Sequence, residues 1–457
     1  MPINSKLFKA YDIRGLSPEE LDEDAAYRIG QAMVKFTAAK NIVVGRDMRE
    51  TTPALFESLS RGIRSQGSNV VDIGLVTTPM MYFAACDYTE HEAGMMITAS
   101  HNPSEYNGVK MCLADALPIG GESGMNEIRD LALAGPHEAT DNEGKMTALD
   151  IRADYLEKLL SAVDLGKIKP LKVAVDTGNG MEGVIIDDIL SRVPGCQYEV
   201  LFKELDGRFP NHEANPLKEE TLDALKAKVA ELSADLGVAF DGDGDRIGIV
   251  DEAGEVVRGD ILAALLAPLL LKESPGSAVL YDVRESMAVV EEIEQAGGQA
   301  IMTRVGHGLI KPHMREVDAV FTGELSNHFY FRDFCGAESS DLVLLLIMQL
   351  ISETGQPLSE LIAPLKRYYH SGEINFEVQD KEAVLSALED KYGSQASNII
   401  RIDGVRMEFF SDSNPEEDWW FSVRASNTEP KLRLNLEAKK EAKMEQMKVE
   451  LTELIES

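Results

Sequence analysis

Short apolar runs alternate with longer segments that are apolar on one side only, and this alternation continues through most of the chain. The short runs are typical of buried strands, and the longer segments are typical of amphipathic helices. Such an alternation predicts an α/β fold with mostly parallel sheets. Strands are expected near residues 42–45, 70–74, 95–97, 171–175, 236–240, 278–281, 300–303 and 319–322.

The alternation divides into three stretches of similar length, residues 1–148, 149–253 and 254–368. We expect each stretch to form a mixed α/β domain, so that the three domains are alike. Residues 369–457 follow a different pattern, which predicts a smaller C-terminal α+β domain. Its expected strands lie near 372–376, 399–407 and 419–424, and its expected helices lie near 381–391 and 440–456.

A local signal predicts the start of the first helix. The segment from Ser17 to Glu20 matches a capping box with Pro18 at the first helical position, and the helix is expected to reach about Phe36.

The apolar runs 261–271 and 342–351 are too short to cross a bilayer and predict buried helices. No apolar segment of the signal-peptide type opens the chain. We therefore expect a cytoplasmic protein without a membrane partner.

The four cysteines are scattered along the chain, at Cys86, Cys112, Cys196 and Cys335. They contain no CxxC pair and no histidine spacing that would predict a zinc site. We interpret them as reduced core or surface thiols.

The charge of the chain limits the classes of partner. The 457 residues include 45 basic and 78 acidic side chains, which gives a formal net charge of −33. Nucleic-acid binding needs a basic face, so a nucleic-acid partner is not expected. An anionic substrate would be repelled by the average surface, so its site must gather arginine, lysine and histidine locally.

A hydroxyl-bearing loop follows the apolar run 95–97, over residues 98–103. Pro103 disfavours helix at the residue before it, so the loop turns sharply at the end of a strand. Open α/β sheets place their ligand sites at such strand ends, which makes Ser100 a candidate for chemistry. The alternatives are a serine that only forms a turn, and a Ser–His hydrolase pair with His101.

A carboxylate loop occupies residues 241–246, directly after another apolar strand. Asp241, Asp243 and Asp245 alternate with glycines, so their side chains can converge, and three oxygen ligands favour Mg²⁺. The register also resembles an EF-hand, but Arg246 stands where that loop needs glycine, and strands flank it. A further alternative is a phosphatase in which Asp241 is an aspartyl nucleophile.

Two further loops predict binding of a sugar phosphate. Glu324, Ser326 and His328 follow a strand and could hydrogen-bond sugar hydroxyls. Arginine binds phosphate bidentately, and hydroxyl and amide groups fill the remaining acceptors. A compact set of this kind predicts a phosphate site, and its members are Arg424, Ser426, Asn427, Thr428 and Arg433.

Lys110, His328 and Arg14 are the candidates for proton transfer or for stabilising charge during the reaction. Taken together, the hydroxyl loop, the carboxylate loop and the basic loop contain the parts needed for phosphoryl transfer.

Five motifs, in order along the whole chain, resemble the α-D-phosphohexomutase family. They are the opening 8–15, the serine loop 98–103, the aspartate loop 241–246, the sugar loop 323–328 and the phosphate loop 424–430. The resemblance implies three similar α/β domains and a smaller fourth domain around a central cleft. It also implies an enzyme, an intramolecular phosphotransferase of the isomerase class.

The resemblance assigns a role to each candidate. Ser100 would be carried as phosphoserine and would give its phosphoryl group to a hexose monophosphate. A hexose 1,6-bisphosphate would be the intermediate and also the activator. Mg²⁺ would bind Asp241, Asp243, Asp245 and the phosphoserine. Lys110 would act as general acid or base, with His328 and Arg14 nearby. Tyr11, Arg246, Arg284 and His307 match other substrate-binding positions of the cleft.

The sugar is expected to be mannose, so that mannose 6-phosphate and mannose 1-phosphate interconvert and supply GDP-mannose synthesis. The stretch 329–334 resembles members that act on mannose phosphates. Asn327 stands where many relatives have glycine, and Arg284 stands where some dual-specificity members have lysine, which leaves glucose phosphates, or both sugars, as the alternative within the family. Outside the family, the alternatives are a phosphatase and a sugar-phosphate-binding protein. We expect hexose phosphates as partners, and a monomer or small homo-oligomer.

Overall fold

A computed structural model of the chain describes residues 3–425 and 431–456. The described residues belong to two compact units. The first unit comprises the chain up to Arg258 together with Met314–Glu316 and Ser326–Ser359, and the second comprises Gly259–His313, Val317–Leu325 and the chain from Glu360 onward.

The first unit begins with a six-stranded sheet. Its strands are β1 (Ile13–Leu16), β2 (Asn41–Arg46), β3 (Asn69–Leu75), β4 (Ala93–Ile97), β5 (Tyr106–Leu113) and β6 (Met146–Ala148). Its helices are α1 (Glu23–Thr37), α2 (Thr52–Ser65), α3 (Thr78–Asp87) and α4 (Asn126–Leu133). The strand order is β1-β5-β4-β2-β3-β6, with β4, β2, β3 and β6 parallel and the β1–β5 and β5–β4 pairs antiparallel.

Helix α1 begins later than the sequence predicts, at Glu23 rather than at Ser17 or Pro18. The Ser17 hydroxyl donates to the Leu21 carbonyl at 2.8 Å instead of accepting from a helical N–H, so it cannot act as the cap. Asp22 takes that role, because its Oδ1 accepts from the Ala25 N–H at 2.8 Å.

The second sheet of the first unit has five strands. The elements of this part are α5 (Arg152–Ser161), β7 (Lys172–Asp176), α6 (Ile186–Leu190), β8 (Gln197–Leu201), α7 (Asp223–Leu232), β9 (Leu236–Phe240), β10 (Ile247–Asp251) and β11 (Val256–Val257). The order is β11-β10-β9-β7-β8. Strands β9 and β10 are wholly buried and antiparallel, with Ile247 opposite Phe240, so the carboxylate loop 241–246 joins them as a hairpin.

The next elements belong mainly to the second unit. They are α8 (Gly259–Glu273), β12 (Ala278–Asp282), α9 (Met287–Gln295), β13 (Gln299–Thr303), α10 (His307–Glu316) and β14 (Phe321–Gly323). Strand β12 pairs in parallel with both β13 and β14. The chain then returns to the first unit with the antiparallel strands β15 (Phe329–Phe331) and β16 (Ala337–Glu338) and the buried helix α11 (Ser340–Thr354).

The C-terminal part of the second unit is an antiparallel sheet with two longer helices. Its elements are α12 (Leu358–Ile362), β17 (Tyr369–His370), β18 (Ile374–Glu377), α13 (Lys381–Tyr392), β19 (Asn398–Ile400), β20 (Val405–Phe409), β21 (Trp419–Ala425), β22 (Lys431–Ala438) and α14 (Glu441–Glu456). The strand order is β17-β22-β21-β20-β19, and β18 also pairs with β22. The strand predicted over 399–407 is two strands, because the chain turns at Gly404, where φ is +68°.

The described residues therefore contain mixed sheets with helices, followed by an antiparallel C-terminal sheet of six strands, and the predicted α/β fold class is confirmed. The expected domain boundaries remain a prediction. Among the described residues, no single helix is long and apolar enough to cross a membrane, although the bent pair Ser340–Thr354 and Leu358–Leu365 meets that test by length and composition.

One expectation about the cysteines is wrong. Cys86, near the end of α3, and Cys335, between β15 and β16, form a disulfide whose Cα atoms lie 6.6 Å apart. The two residues are 249 positions apart in sequence, so no local spacing pattern could reveal their contact. Among the described residues, Cys112 and Cys196 form no disulfide and stay reduced, as predicted.

We expect the Cys86→Ser variant to lose about 2–4 kcal/mol of unfolding free energy, because a bond that closes a long loop restricts the unfolded chain. Denaturant unfolding of oxidised protein measures this loss, and peptide mapping without reductant detects the bond. Cys196→Ser is the matched control, since it makes the same substitution at a free thiol. Equal unfolding curves for the two variants, or unlinked Cys86 and Cys335 peptides, would contradict the prediction.

Candidate active site

Ser100 lies in the loop that joins β4 to β5, and it is buried, with 3% of its surface exposed. Its φ of +51° is in the left-handed region, which costs energy for a serine and indicates that its surroundings impose this conformation. The Ser100 hydroxyl donates to Asp241 Oδ2 at 2.8 Å and lies 3.1 Å from His101 Nδ1. The hydroxyl is therefore aimed at the carboxylate loop, 141 residues further along the chain.

Arg49 holds the serine loop in this conformation. Its buried guanidinium donates to the carbonyl oxygens of Ser100 (2.8 Å), Asn102 (2.7 Å), Pro103 (2.7 Å) and Tyr106 (2.9 Å). Our sequence reasoning did not identify this role. The available signal is a pair of basic residues directly after a buried strand, which does not specify the loop that they bind.

The carboxylate loop comes into direct contact with the serine loop. A Cβ atom on Gly242 would lie 2.3 Å from the Ser100 carbonyl oxygen, so only glycine fits at this position. Asp241 Oδ1 accepts the backbone N–H groups of Asp245 and Arg246, both at 3.1 Å, while its Oδ2 accepts the Ser100 hydroxyl. The backbone of the loop thus fixes the orientation of the first carboxylate.

All three aspartates of the loop are buried, with exposures of 0%, 0% and 2% for Asp241, Asp243 and Asp245. Burial, reinforced by the negative charges of Asp245 and Asp243, raises the pKa of Asp241 to about 8. Burial also opposes ionisation of Asp245, but Lys110, His328 and Arg246 hold the pKa of that carboxyl well below its usual range. Asp241 is therefore the carboxyl that resists ionisation, and Asp245 is the one that stays ionised.

Lys110, on β5, provides the positive charge nearest to these aspartates. Its ammonium lies 2.7 Å from Asp243 Oδ2 and forms a second ion pair with Asp245. Burial disfavours the ammonium, but the charges of Asp243 and Asp245 outweigh it and raise the pKa of Lys110. Thr78, at the start of α3, adds a hydrogen bond from its hydroxyl to Asp243 Oδ2 at 2.6 Å, a contact that our sequence reasoning missed.

The aspartate loop has the chemistry of a divalent-metal site. Oxygen atoms of Asp241, Asp243 and Asp245 lie within 4.8 Å of one another. Asp243 Oδ1 is buried and has no hydrogen-bond partner among the described residues, which leaves a carboxylate oxygen available as a ligand. A set made only of carboxylate oxygens suits a hard cation such as Mg²⁺. The residues present therefore fit the metal that the sequence predicts.

His328 and Ser326 also lie near these aspartates. Arg246 Nε lies 3.1 Å from His328 Nε2, and His328 Nδ1 lies 3.0 Å from Ser326 Oγ. His328 Nε2 lies 3.5 Å from Asp245 Oδ1. Asn327, between them, has a φ of +64°, a conformation that asparagine tolerates better than most residues.

Arg14 reaches the serine loop from β1. Its guanidinium donates to Asn102 Oδ1 and to Asp12 Oδ2, both at 2.6 Å. Burial, with the positive charges of Arg246 and Arg14, holds the pKa of His101 well below its usual range, so His101 is neutral beside the serine. Tyr11 precedes β1, and its ring lies close to Gly120, where an added Cβ atom would be 3.7 Å from the ring.

The second unit contains the predicted substrate-binding arginines Arg284, Arg424 and Arg433. Arg284 follows β12 and donates to both oxygens of Asp282, at 3.0 and 2.6 Å. Its Nη2 lies 3.7 Å from Glu324 Oε1, and its Nη1 lies 3.6 Å from Glu373 Oε2. Burial opposes the charge, but Asp282 outweighs it and raises the pKa of Arg284. The cation is therefore held in one orientation with Glu324 and Glu373 beside it.

Arg424 on β21 and Arg433 on β22 lie directly opposite each other. Two like charges across a strand pair destabilise a sheet unless an anion compensates them. Glu373, which our sequence reasoning missed, supplies one such charge, with its Oε1 3.3 Å from Arg433 Nη1. Arg424 Nε is buried and has no hydrogen-bond partner in the part of the chain that the structure describes, and burial together with Arg284 lowers the pKa of Arg424. Ser426, Asn427 and Thr428 lie outside the described residues.

Glu324 directly follows β14, and His307 begins α10, close to Glu324 in the second unit. Glu324 is 2% exposed, and its Oε1 accepts the Gly306 N–H at 3.2 Å. His307 follows as the first residue of α10.

The predicted residues thus form two groups. One group lies in the first unit and consists of Arg14, Ser100, Lys110, Asp241, Asp243, Asp245, Arg246, Ser326 and His328. The other lies in the second unit and consists of Arg284, His307, Glu324, Arg424 and Arg433.

Models of four protein domains match the chain in order. The alpha/beta/alpha domains I, II and III of phosphoglucomutase/phosphomannomutase match residues 5–137, 153–254 and 258–368, and the C-terminal domain of the same family matches residues 373–454. Together these matches cover most of the chain.

Individual relatives agree with this assignment over nearly their full length. A Xanthomonas campestris protein named "Phosphohexose mutases" is 41% identical over 436 residues, which are 95% of each chain. A Vibrio cholerae phosphomannomutase is 38% identical over 461 residues, which are 98% of each chain. A crystal structure of a phosphoglucomutase/phosphomannomutase family protein from Burkholderia thailandensis has a TM-score of 0.89 at 31% identity, and the match covers 99% of this chain and 97% of that one.

The order of the domains, the buried serine beside three aspartates and the full-length similarity all point to one group of enzymes. The chain belongs to the phosphoglucomutase/phosphomannomutase family, the phosphohexomutases, which are intramolecular phosphotransferases of the isomerase class.

Proposed function

We propose that this enzyme interconverts mannose 6-phosphate and mannose 1-phosphate, with Ser100 as the residue that carries the phosphoryl group. The observation that supports this most directly is the hydrogen bond from the buried Ser100 hydroxyl to Asp241, within a group of three aspartates. A phosphatase that uses Asp241 as nucleophile would have no need for a serine hydroxyl bonded to that same oxygen.

The proposed reaction has two transfers, and each conserves its atoms. In the first, the bond between phosphorus and Ser100 Oγ breaks, and a free hydroxyl of the hexose monophosphate bonds to phosphorus. The proton of that hydroxyl passes to Ser100 Oγ, and a hexose 1,6-bisphosphate results. In the second, the other phosphoryl group of the bisphosphate returns to Ser100, and the proton moves back to the sugar oxygen. Free hexose 1,6-bisphosphate would act as activator by phosphorylating an unmodified Ser100.

Charged side chains of the first unit would support this transfer. Asp241, Asp243, Asp245 and the phosphoserine would hold Mg²⁺, which supplies neutralisation of the phosphoryl oxygens when bound. Lys110 is held in its protonated form by Asp243 and Asp245. We therefore assign Lys110 charge stabilisation and proton donation, and we assign His328 and Arg14 supporting roles near the reacting groups.

Other residues of the family motifs would recognise the part of the substrate that does not react. Arg284, Arg424 and Arg433 suit the remaining phosphate group, because two of them face each other and need an anion. Glu324, with Ser326 and His328 of the same loop, would accept or donate hydrogen bonds to sugar hydroxyls. The other proposed substrate-binding residues are Tyr11, Arg246, His307, Ser426, Asn427 and Thr428.

The choice of mannose rests on relatives. The Vibrio cholerae protein is named a phosphomannomutase. The Xanthomonas campestris relative has the broader name "Phosphohexose mutases", which supports glucose phosphates as a second candidate substrate.

Phosphorus NMR tests both the reaction and the sugar. With mannose 1-phosphate, Mg²⁺ and a trace of hexose 1,6-bisphosphate, we expect a mannose 6-phosphate signal to grow. Ser100→Ala should slow this by on the order of 10³-fold or more, because the phosphoryl carrier is lost. The same run with glucose 1-phosphate ranks the two sugars.

Ser104→Ala is the matched control for this experiment, since Ser104 is an exposed serine close by in the same loop. It should retain activity within about twofold, as expected for a surface substitution. Growth of free inorganic phosphate in both variants would refute the mutase and favour a phosphatase. An unchanged spectrum from folded protein phosphorylated at Ser100 would refute activity on these sugars.

The raised pKa of Asp241 predicts that Mg²⁺ binding releases a proton. With a pKa of about 8, Asp241 is mostly protonated at neutral pH and must ionise to bind a cation. Affinity should therefore rise with pH up to about pH 8 and then level off. We expect the release of about one proton per ion near pH 7 and almost none near pH 9.5, measured by calorimetry in buffers of different ionisation enthalpy. Equal release at both pH values would point to Lys110 as the proton source.

Phosphate binding tests the arginines of the second unit. Arg433→Gln should weaken the binding of inorganic phosphate by about tenfold, since one charge-assisted hydrogen bond is lost. Glu373→Gln should strengthen it several-fold, because Glu373 then no longer competes for Arg433. Arg401→Gln, which alters an exposed arginine paired with Glu389, is the control and should bind as the wild type does. Weaker binding in Glu373→Gln would overturn this account of Glu373.

A further inference from the structure

A pair of buried acidic side chains, Glu182 and Asp341, lies next to the carboxylate loop and has no part in the proposed chemistry. Both residues are 0% exposed. Glu182 belongs to the short helical segment after β7, and Asp341 belongs to the first turn of α11. Both lie beside Gly244 of the carboxylate loop, since Glu182 Oε2 would be 3.2 Å from a Cβ atom on Gly244, and the Ser340 hydroxyl, next to Asp341, donates to the Gly244 carbonyl. A side-chain hydrogen bond between the two carboxyl groups is among the causes that shift the pKa of each.

Asp341 is well placed to carry the negative charge of this pair. The Tyr155 hydroxyl donates to Asp341 Oδ2 at 2.5 Å. A carboxylate in the first turn of a helix is also stabilised by the helix dipole. Glu182 lacks such a donor, because neither of its buried oxygens finds one in the described part of the chain, and the helical segment that carries it has only four residues. An ionised Glu182 would therefore be a buried charge without a partner, which is costly.

A proton on Glu182 resolves this arrangement. The resulting O–H donates to the Asp341 carboxylate, which then accepts from two donors. Burial and the charge of Asp341 raise the pKa of Glu182 well above its usual range, in agreement with this geometry.

The pair also touches the backbone that carries the three aspartates. A Cβ atom on Gly244 would lie 3.2 Å from Glu182 Oε2. The Met181 N–H, next to Glu182, donates to the Gly242 carbonyl at 2.9 Å. The Ser340 hydroxyl, next to Asp341, donates to the Gly244 carbonyl at 2.5 Å. Both glycine carbonyls of the loop are thus held by immediate neighbours of the pair.

We propose that Glu182 is a protonated positioning residue, whose hydrogen bond to Asp341 joins the segment after β7 to α11 and fixes the backbone of Gly242–Gly244 so that the three aspartates converge. The inference rests on the proposed function only in taking these aspartates as the metal site. A neutral Glu182 also adds no negative charge to a loop that already concentrates three carboxyl groups. Partners behind metal ligands commonly set metal affinity by fixing the orientation of those ligands.

Two variants of similar size separate hydrogen bonding from charge. Glu182→Gln keeps a donor to Asp341 and is neutral, so Mg²⁺ affinity, KM and kcat should stay within about twofold of wild type. Glu182→Met keeps the volume but removes the donor, and it should weaken Mg²⁺ binding by about 10–100-fold. Calorimetry with Mg²⁺ alone measures the affinity, at a temperature where thermal unfolding shows all three proteins to be folded.

An infrared difference spectrum tests the proton directly and does not depend on activity. Wild type minus Glu182→Gln, recorded near pH 9, where Asp241 with its pKa of about 8 is mostly ionised, should show the carbonyl stretch of a protonated carboxylic acid. The absence of that band would overturn the proposal. The proposal would also be overturned if Glu182→Gln bound Mg²⁺ as weakly as Glu182→Met, since an ionised Glu182 would then be required. Normal Mg²⁺ affinity in both variants would also refute it. Absence of mutase activity in the wild type would refute the proposed function but not this inference.

Discussion

The burial of three carboxyl groups in one hairpin loop is the constraint on which the first unit depends. Asp241, Asp243 and Asp245 are almost completely buried, and uncompensated charges there would cost several kcal/mol each. Nearby groups offset that cost, because Lys110 supplies positive charge and Thr78 and Ser100 donate hydrogen bonds. The pKa of Asp241 is also raised to about 8, so that this carboxyl is mostly neutral near pH 7. The three aspartates thus suit a cation, and the Lys110 ammonium already supplies part of the positive charge that they need.

The second unit has the opposite imbalance. Arg424 and Arg433 face each other across neighbouring strands, and Arg284 is held nearby by Asp282. Glu373 lies within 3.6 Å of Arg284 and 3.3 Å of Arg433, so an internal carboxylate supplies part of the charge that a phosphate would bring. Each unit therefore contains a cluster of like charges that nearby groups of the opposite sign compensate in part.

A residue whose partners lie in the same short segment is easier to predict from the sequence than a residue whose partners lie in distant segments. The serine loop, the aspartate loop and the strand–helix order are readable because their chemistry and spacing are local. Arg49, Thr78 and Glu373 were missed because their partners lie far away in sequence, and Arg49 binds a carbonyl 51 residues later. The Cys86–Cys335 bond was missed for the same reason. The start of α1 was predicted wrongly because Ser17 donates to a carbonyl, and side-chain hydrogen bonding of that kind is decided by packing.

The contact between the two loops fixes the position of Ser100, which supports its proposed role as the phosphoryl carrier. The Ser100 carbonyl would lie 2.3 Å from a Cβ atom on Gly242, so any larger residue there would separate the hydroxyl from Asp241. Arg49 holds the same carbonyl from another direction, and the φ of +51° at Ser100 shows how strongly its surroundings determine the backbone. In the proposed reaction one serine gives a phosphoryl group and later receives another from a different position on the sugar. A rigid serine loop suits that task, because the bisphosphate can then reorient while the accepting oxygen stays beside the aspartates.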